Sequence, residues 1–216
     1  DLLLETLKFN ISFIKANFPR SYVDVNRHPF EINPSMISSH IPTFIYSNTK
    51  KARSGIGVIP RVSIYGNEIY DKLLSRKEVI CRLLNKYFPY YKKLKFIIKS
   101  LKDKFNNILI LDFHSMPSNS LRYNSDIILG NNYNLSCSKV LTSLIKEYFN
   151  SYNYKVLENY PYSGGYITKS LGKLEISVNI LQIEINRAIY MNEKTLFKHH
   201  HNMQLLSKNI KEIIIN

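Results

Sequence analysis

Apolar residues return every three or four positions through Leu2, Leu3, Leu7, Ile11, Ile14 and Phe18, and Pro19 then ends the pattern, which predicts an opening helix over 2–18. Tyr22-Val23-Asp24-Val25-Asn26 alternates and reads as a short strand. The Pro-containing stretch 29–42 predicts an irregular excursion, and Gly55-Ile56-Gly57-Val58-Ile59-Pro60-Arg61 a loop. Helical spacing resumes over 67–85, where Ser75 and Glu78 are placed like a capping box and allow a second helix start near Ser75. Pro89 predicts a separation from a further helix over 90–105, whose polar face is crowded with lysines.

The second half changes character. Asn107-Ile108-Leu109-Ile110-Leu111-Asp112 is almost continuously apolar, the form of a strand covered on both faces, and 126–129 is a shorter run of the same kind. Ser136 is placed to cap a helix running to about residue 152. Segments 155–157 and 178–185 read as strands, and 192–215 as a closing helix. Strands alternating with helices, with strands buried on both faces, predict a single three-layer α/β domain over 1–216. No repeat or linker divides it.

Composition sets limits on function. With 216 residues, 44% hydrophobic and 12% aromatic, the chain has too much apolar material for a disordered tail. Its 30 Lys+Arg against 16 Asp+Glu give a net charge of +14, which invites a polyanion partner. The abundance of Ile, Asn, Lys and Tyr offers the plainer cause, the codon bias of an AT-rich genome, so the lysine-rich face is expected to be solvated and no nucleic-acid partner is expected. Cys81 and Cys137 are too few for a disulfide framework and lack metal-ligand spacing. No apolar run approaches the roughly 18 residues of a membrane span. A cytoplasmic protein without a membrane partner is expected, and its oligomeric state is open.

Candidate chemistry gathers after the buried runs, because ligands of α/β sheets collect at the carboxyl ends of strands. In Asp112-Phe113-His114-Ser115-Met116-Pro117-Ser118, His114 follows an apolar strand, where it can bind a metal, move a proton, or only bond a loop, and Asp112 can orient it. In Leu181-Gln182-Ile183-Glu184-Ile185-Asn186-Arg187, alternation puts Gln182, Glu184 and Asn186 on one face. A carboxylate in a buried strand needs either a partner or a chemical role, so Glu184 is a general base or is paired to Arg27, Arg61 or Arg187. Asn26-Arg27, Arg61 and Asn186-Arg187 sit at element ends, and converging guanidinium forks suit a small, acidic substrate. Gly164 and Gly165, before Tyr166, let backbone approach a ligand or simply make a turn. His199, His200 and His201 point about 100° apart on a helix and cannot share one ion, so they are expected to face solvent.

Taken together, Tyr22-Val-Asp-Val-Asn-Arg27, Gly55-Ile-Gly-Val-Ile-Pro-Arg61, Asp112-Phe-His-Ser-Met-Pro-Ser118, Asp126-Ile-Ile-Leu-Gly130, Pro161-Tyr-Ser-Gly-Gly-Tyr166 and Leu181-Gln-Ile-Glu-Ile-Asn-Arg187 resemble, in order, the N-formylglutamate amidohydrolases. The resemblance implies a zinc-carboxypeptidase-like α/β fold with a mixed sheet. It also implies zinc-dependent hydrolysis of an N-formyl amino acid to formate and the free amino acid, a step of amino-acid degradation. On that template His114 is a metal ligand and Glu184 the general base. Arg27, Arg61 and Arg187, with Asn26 and Asn186, clamp the glutamate carboxylates and steady the oxyanion, Arg61 counting among the catalytic residues, and the Gly164-Gly165-Tyr166 segment is expected to bind substrate. The family pattern leads one to expect further residues ahead of this chain, carrying a Pro-His-Ser-Gly-like strand end and an acidic segment that supply the remaining ligands. Two positions depart from it: Tyr91 and Asn179 stand where relatives tend to show His. A catalytically impaired relative, or a small-molecule binding protein of the same fold, is the competing expectation.

Overall fold

A computed structural model describes residues 13–39, 46–47, 49–63, 66–120 and 125–215. Four strands, β1 (Ile108–Met116), β2 (Ile127–Gly130), β3 (Val156–Glu158) and β4 (Val178–Asn186), form a sheet of spatial order β1-β4-β2-β3. β1 runs parallel to β4 and β2 parallel to β3, while β2 and β4 are antiparallel, so the sheet is mixed and the fold α/β. Every residue of β4 is buried, as a central strand covered on both faces requires.

Contacts divide the chain into two compact units, one of Ile14–Lys104 and one containing Phe105–Asn216. In the first, α1 (Lys50–Arg53) is a single turn capped by Thr49. Next come α2 (Arg76–Arg82), a π-helical turn Leu83–Tyr87, and α3 (Phe88–Lys102). In the second, α4 (Lys139–Ser151), α5 (Tyr166–Leu171) and α6 (His200–Ile215) accompany the sheet. Ile127 and Leu129 of β2, Leu181, Ile183 and Ile185 of β4, Ile145 and Phe149 of α4, and Leu206, Ile210 and Ile213 of α6 form one apolar core. Thr142, Ile145 and Phe149 are the buried positions of α4, the spacing of a helix with one face inward. None of the described helices is long and apolar enough to cross a membrane.

Several sequence expectations are corrected. The stretch 22–26 is not a strand: Val23, Asp24 and Asn26 are all buried, and the Asp24 carboxylate accepts from the Asn26 N–H at 2.9 Å, turning the chain. The opening helix lies outside the described residues except for 13–18, which are not helical. Residues 67–75 are not helical either, because their backbone pairs elsewhere: Ile69 N–H donates to Arg61 and Leu74 N–H to Met36. The helix starts at Arg76, where Ser75 Oγ accepts from Glu78 N–H at 3.1 Å. Pro89 does not separate two helices. The missing proline N–H falls just after the π turn, where Phe88 N–H reaches back five residues to Leu83.

In the second unit, β1 runs on past residue 112 to Met116, so His114 lies within the strand rather than after it. Ser136 is not the helix cap, since its hydroxyl donates to Ile180 O at 3.0 Å. Ser138 takes that place and accepts from Leu141 N–H at 3.3 Å. Ser138→Ala is expected to destabilise the protein by about 1 kcal/mol, read by urea denaturation, because it leaves a helix-end donor without its acceptor. The closing helix begins at His200, not near 192, because Asn192 Oδ1 accepts from Lys194 and Thr195 N–H in a turn. Helix α5 had no sequence signal, being six residues placed directly after a Gly pair.

Unit Ile14–Lys104 holds a buried cation. Arg82 donates to Tyr70 Oη at 2.7 Å and to Glu78, and its guanidinium lies 4.2 Å from the Tyr22 ring centroid. Burial works against its charge, but the bonds to Glu78 and Tyr70 outweigh it and hold its pKa above the ordinary value. Cys81 is exposed and Cys137 buried, both as free thiols, and burial pushes the Cys137 thiol up, favouring its protonated form.

Candidate active site

One face of β4 is polar because the strand alternates: Leu181, Ile183 and Ile185 enter the core, leaving Gln182, Glu184 and Asn186 on the opposite side. Parallel pairing with β1 places Asp112 beside Gln182 and His114 beside Glu184, so all four side chains project from the same face of neighbouring strands. His114 Nε2 is 3.0 Å from Asp112 Oδ1. Gln182 Nε2 donates to Glu184 Oε1 at 2.8 Å, and Gln182 Oε1 accepts from Gly165 N–H at 2.6 Å. Glu184 and Gln182 are buried, and His114 is half-buried. On the other side of Glu184, β2 presents Ile128 and Gly130.

The Gly164-Gly165 segment reaches this face by crossing Gly130. A Cβ at Gly130 would lie 2.8 Å from Gly164 N, so only glycine permits the approach. Gly164 itself has φ +123°, a conformation that side chains avoid. Tyr166 starts α5 immediately after.

The remaining expected site residues are distributed. Asn186 uses both ends of its amide inside the fold, donating to Ser125 O at 3.1 Å and accepting from Ala188 N–H at 3.0 Å. Arg187 Nε donates to Ser115 Oγ at 3.2 Å, and Ser115 alternates with His114 to the other side of the sheet. Asn26, Arg27 and Arg61 belong to the Ile14–Lys104 unit. There Arg27 donates to Ile56 O at 2.9 Å and lies 3.7 Å from Asp24, and Asn26 is buried with its carbonyl accepting from Arg27. Arg61 pairs with Glu68 at 2.5 Å. Tyr91 donates to Val25 O at 3.0 Å, and Asn179 Oδ1 accepts from Ser138 N–H at 2.9 Å, so both departures from the family pattern have structural partners. His199, His200 and His201 are exposed.

The sequence pattern puts Gln182 on the polar face with Glu184 but assigns it no role. Its signal was the same alternation that singled out Glu184.

The donor set can be tested against a metal. Among the described residues no group of three or more His, Cys, Asp and Glu side chains is placed to hold one. A catalytic zinc takes three protein ligands, so these residues do not fit the ion that the resemblance implies.

Three comparisons bear on this arrangement. A crystal structure of N-formylglutamate amidohydrolase from Ralstonia eutropha JMP134 matches with a TM-score of 0.84 at 29% identity, over 91% of this chain and 72% of that one. A gene product of Agrobacterium tumefaciens, 18% identical with a TM-score of 0.56 over 91% of this chain and 69% of its own, shares the fold. N-formylglutamate deformylase of Pseudomonas aeruginosa is 26% identical over 193 residues, 86% of this chain. The chain spans 66% of that relative's length. A family model described as N-formylglutamate amidohydrolase matches residues 1–191, covering β1, β2, β3 and β4 with their polar face, and the chain therefore belongs to that family.

Proposed function

We propose that the protein hydrolyses the amide of N-formyl-L-glutamate or a related N-formyl or N-acyl amino acid, releasing formate, or the corresponding acid, and the free amino acid. The observation that carries this reading is the pairing of His114 with Glu184 on adjacent parallel strands, each already oriented by a polar neighbour, on the face of β4 opposite the apolar core. Hydrolysis adds water across the C–N bond. Glu184 takes a proton from the attacking water as the C–O bond forms, and returns it to the departing nitrogen as the C–N bond breaks. The Asp112 carboxylate fixes the ring of His114 beside that carboxylate. No step is assigned to a metal, because the described donors do not fit one.

The small acidic substrate of this reading needs cationic partners. Arg187 leaves the carboxyl end of β4, the edge where ligands of α/β sheets gather. Its Nε is held by Ser115, on the side of the sheet opposite His114, so Arg187 reaches a substrate on the polar face only around the carboxyl edge of the strands, with the guanidinium donors beyond the one that Ser115 takes.

The test is formate release from N-formylglutamate by the purified chain, compared with N-formyl amino acids of neutral side chain. Arg187→Met is expected to raise KM for the acidic substrate about 10–100-fold with a smaller change in kcat, the cost of one charge-assisted contact. An equal effect on neutral substrates would remove Arg187 from carboxylate binding. A binding protein without catalysis is the second reading, favoured by the structural use of Tyr91 and Asn179. Calorimetric binding of N-formylglutamate without formate release would select it.

A further inference from the structure

We propose that Gln182 is a positioning residue that presents the Glu184 carboxylate, an inference that rests on the reading of Glu184 as the base. The carboxamide of Gln182 stands between two fixed groups. A backbone N–H can only donate, so the bond from Gly165 at 2.6 Å obliges the oxygen of the amide to face the Gly164-Gly165 segment. The amide nitrogen must then face the other way, toward Glu184 Oε1 at 2.8 Å. The polarity of the chain is thereby set from its backbone end: Gly165 donates to Gln182, Gln182 donates to Glu184, and Glu184 must accept.

Two consequences follow from that polarity. Glu184 Oε1 is held as an acceptor, the state in which a carboxylate can take a proton from water. The carboxylate is also tied to the segment that crosses Gly130, so the position of the base is referenced to α5 as well as to β4. Burial strengthens both bonds, since neither partner exchanges freely with water. The other neighbours of Glu184 on the sheet are Asp112 and His114 on β1, and apolar Ile128 with Gly130 on β2.

Two variants separate positioning from tethering. Gln182→Glu retains an oxygen for Gly165 N–H but replaces the donor toward Glu184 with a second acid. Gln182→Met removes both bonds at similar volume. Both are expected to lower kcat for formate release about 10–100-fold while KM stays within about 3-fold, the size of one hydrogen bond to a charged group. Amide hydrogen exchange at Gly165 is expected to remain slow in Gln182→Glu and to accelerate in Gln182→Met. Gln182→Glu with kcat within about 3-fold of the unsubstituted chain overturns the proposal, because Gln182 is then only a loop tether. If the unsubstituted chain releases no formate, the functional reading fails separately, and positioning is decided by the crystal structure of Gln182→Met. There a displaced or split Glu184 carboxylate supports it, and an unmoved one overturns it. Should neither variant fold, fast exchange at Gly165 in the unsubstituted chain overturns it.

Discussion

Glu184→Gln is expected to lower kcat for formate release about 10²–10⁴-fold with KM changed only a few-fold. The substitution keeps the shape of the side chain and leaves an amide oxygen able to accept from Gln182 Nε2, so the geometry of the polar face survives. What disappears is the basicity needed to take a proton from water. Stability is expected to move the other way. Glu184 is 7% exposed, and a buried carboxylate carries a desolvation cost of several kcal/mol. The neutral amide relieves that cost, so the unfolding midpoint should hold or rise. Initial-rate formate assays beside thermal unfolding check both halves, and a loss of rate below about 10-fold in a folded variant would remove Glu184 as the base.

Phe149→Ala is expected to destabilise the protein by about 3–5 kcal/mol. Phe149 is fully buried, and its ring meets Tyr154 edge-to-face at 6.0 Å between centroids. Tyr154 Oη accepts in turn from Asn209 of α6 at 3.1 Å, so the ring supports the contact of α4 with α6 as well as with the sheet. Burial holds the Tyr154 phenol above its ordinary pKa and keeps it a neutral partner for that amide. The loss combines the transfer of a large apolar side chain with the cavity left behind. Urea denaturation followed by circular dichroism measures it, the chain having no Trp. A loss under about 1 kcal/mol would mean that α4 relaxes onto the sheet. Phe149→Leu should recover more than half, because most of the volume returns.

How far the sequence led depends on the range of the forces involved. The alternation of β4 was legible because a strand repeats every two residues and one of its faces had to be apolar; Gln182, Glu184 and Asn186 fell on the correct side. The extent of β1 was not, since Asp112, His114 and Ser115 look like a loop until their neighbours on β4 supply partners for the backbone. The turn at 22–26 was misread because alternation says nothing of an Asp side chain that closes on the backbone two residues on. The π turn escaped because one extra residue in a helix leaves propensity and apolar content unchanged. Arg187 was correctly placed at a strand end, yet its direction follows from Ser115, a partner far away along the chain. Pairing of distant residues is what a linear pattern does not carry.

The strand order has a consequence for how this protein is made. β4 is the last of the four described strands to be synthesised and the one that stands between β1 and β2. Until Val178–Asn186 has left the ribosome, β1 has no neighbour among the described strands, and β2 has only the short β3. Nucleation must therefore wait for contacts of long sequence separation, which slows folding and leaves apolar edges open to other chains meanwhile. Nascent chains halted before residue 178 should depend on chaperones, whereas those halted after β4 has emerged should already resist protease.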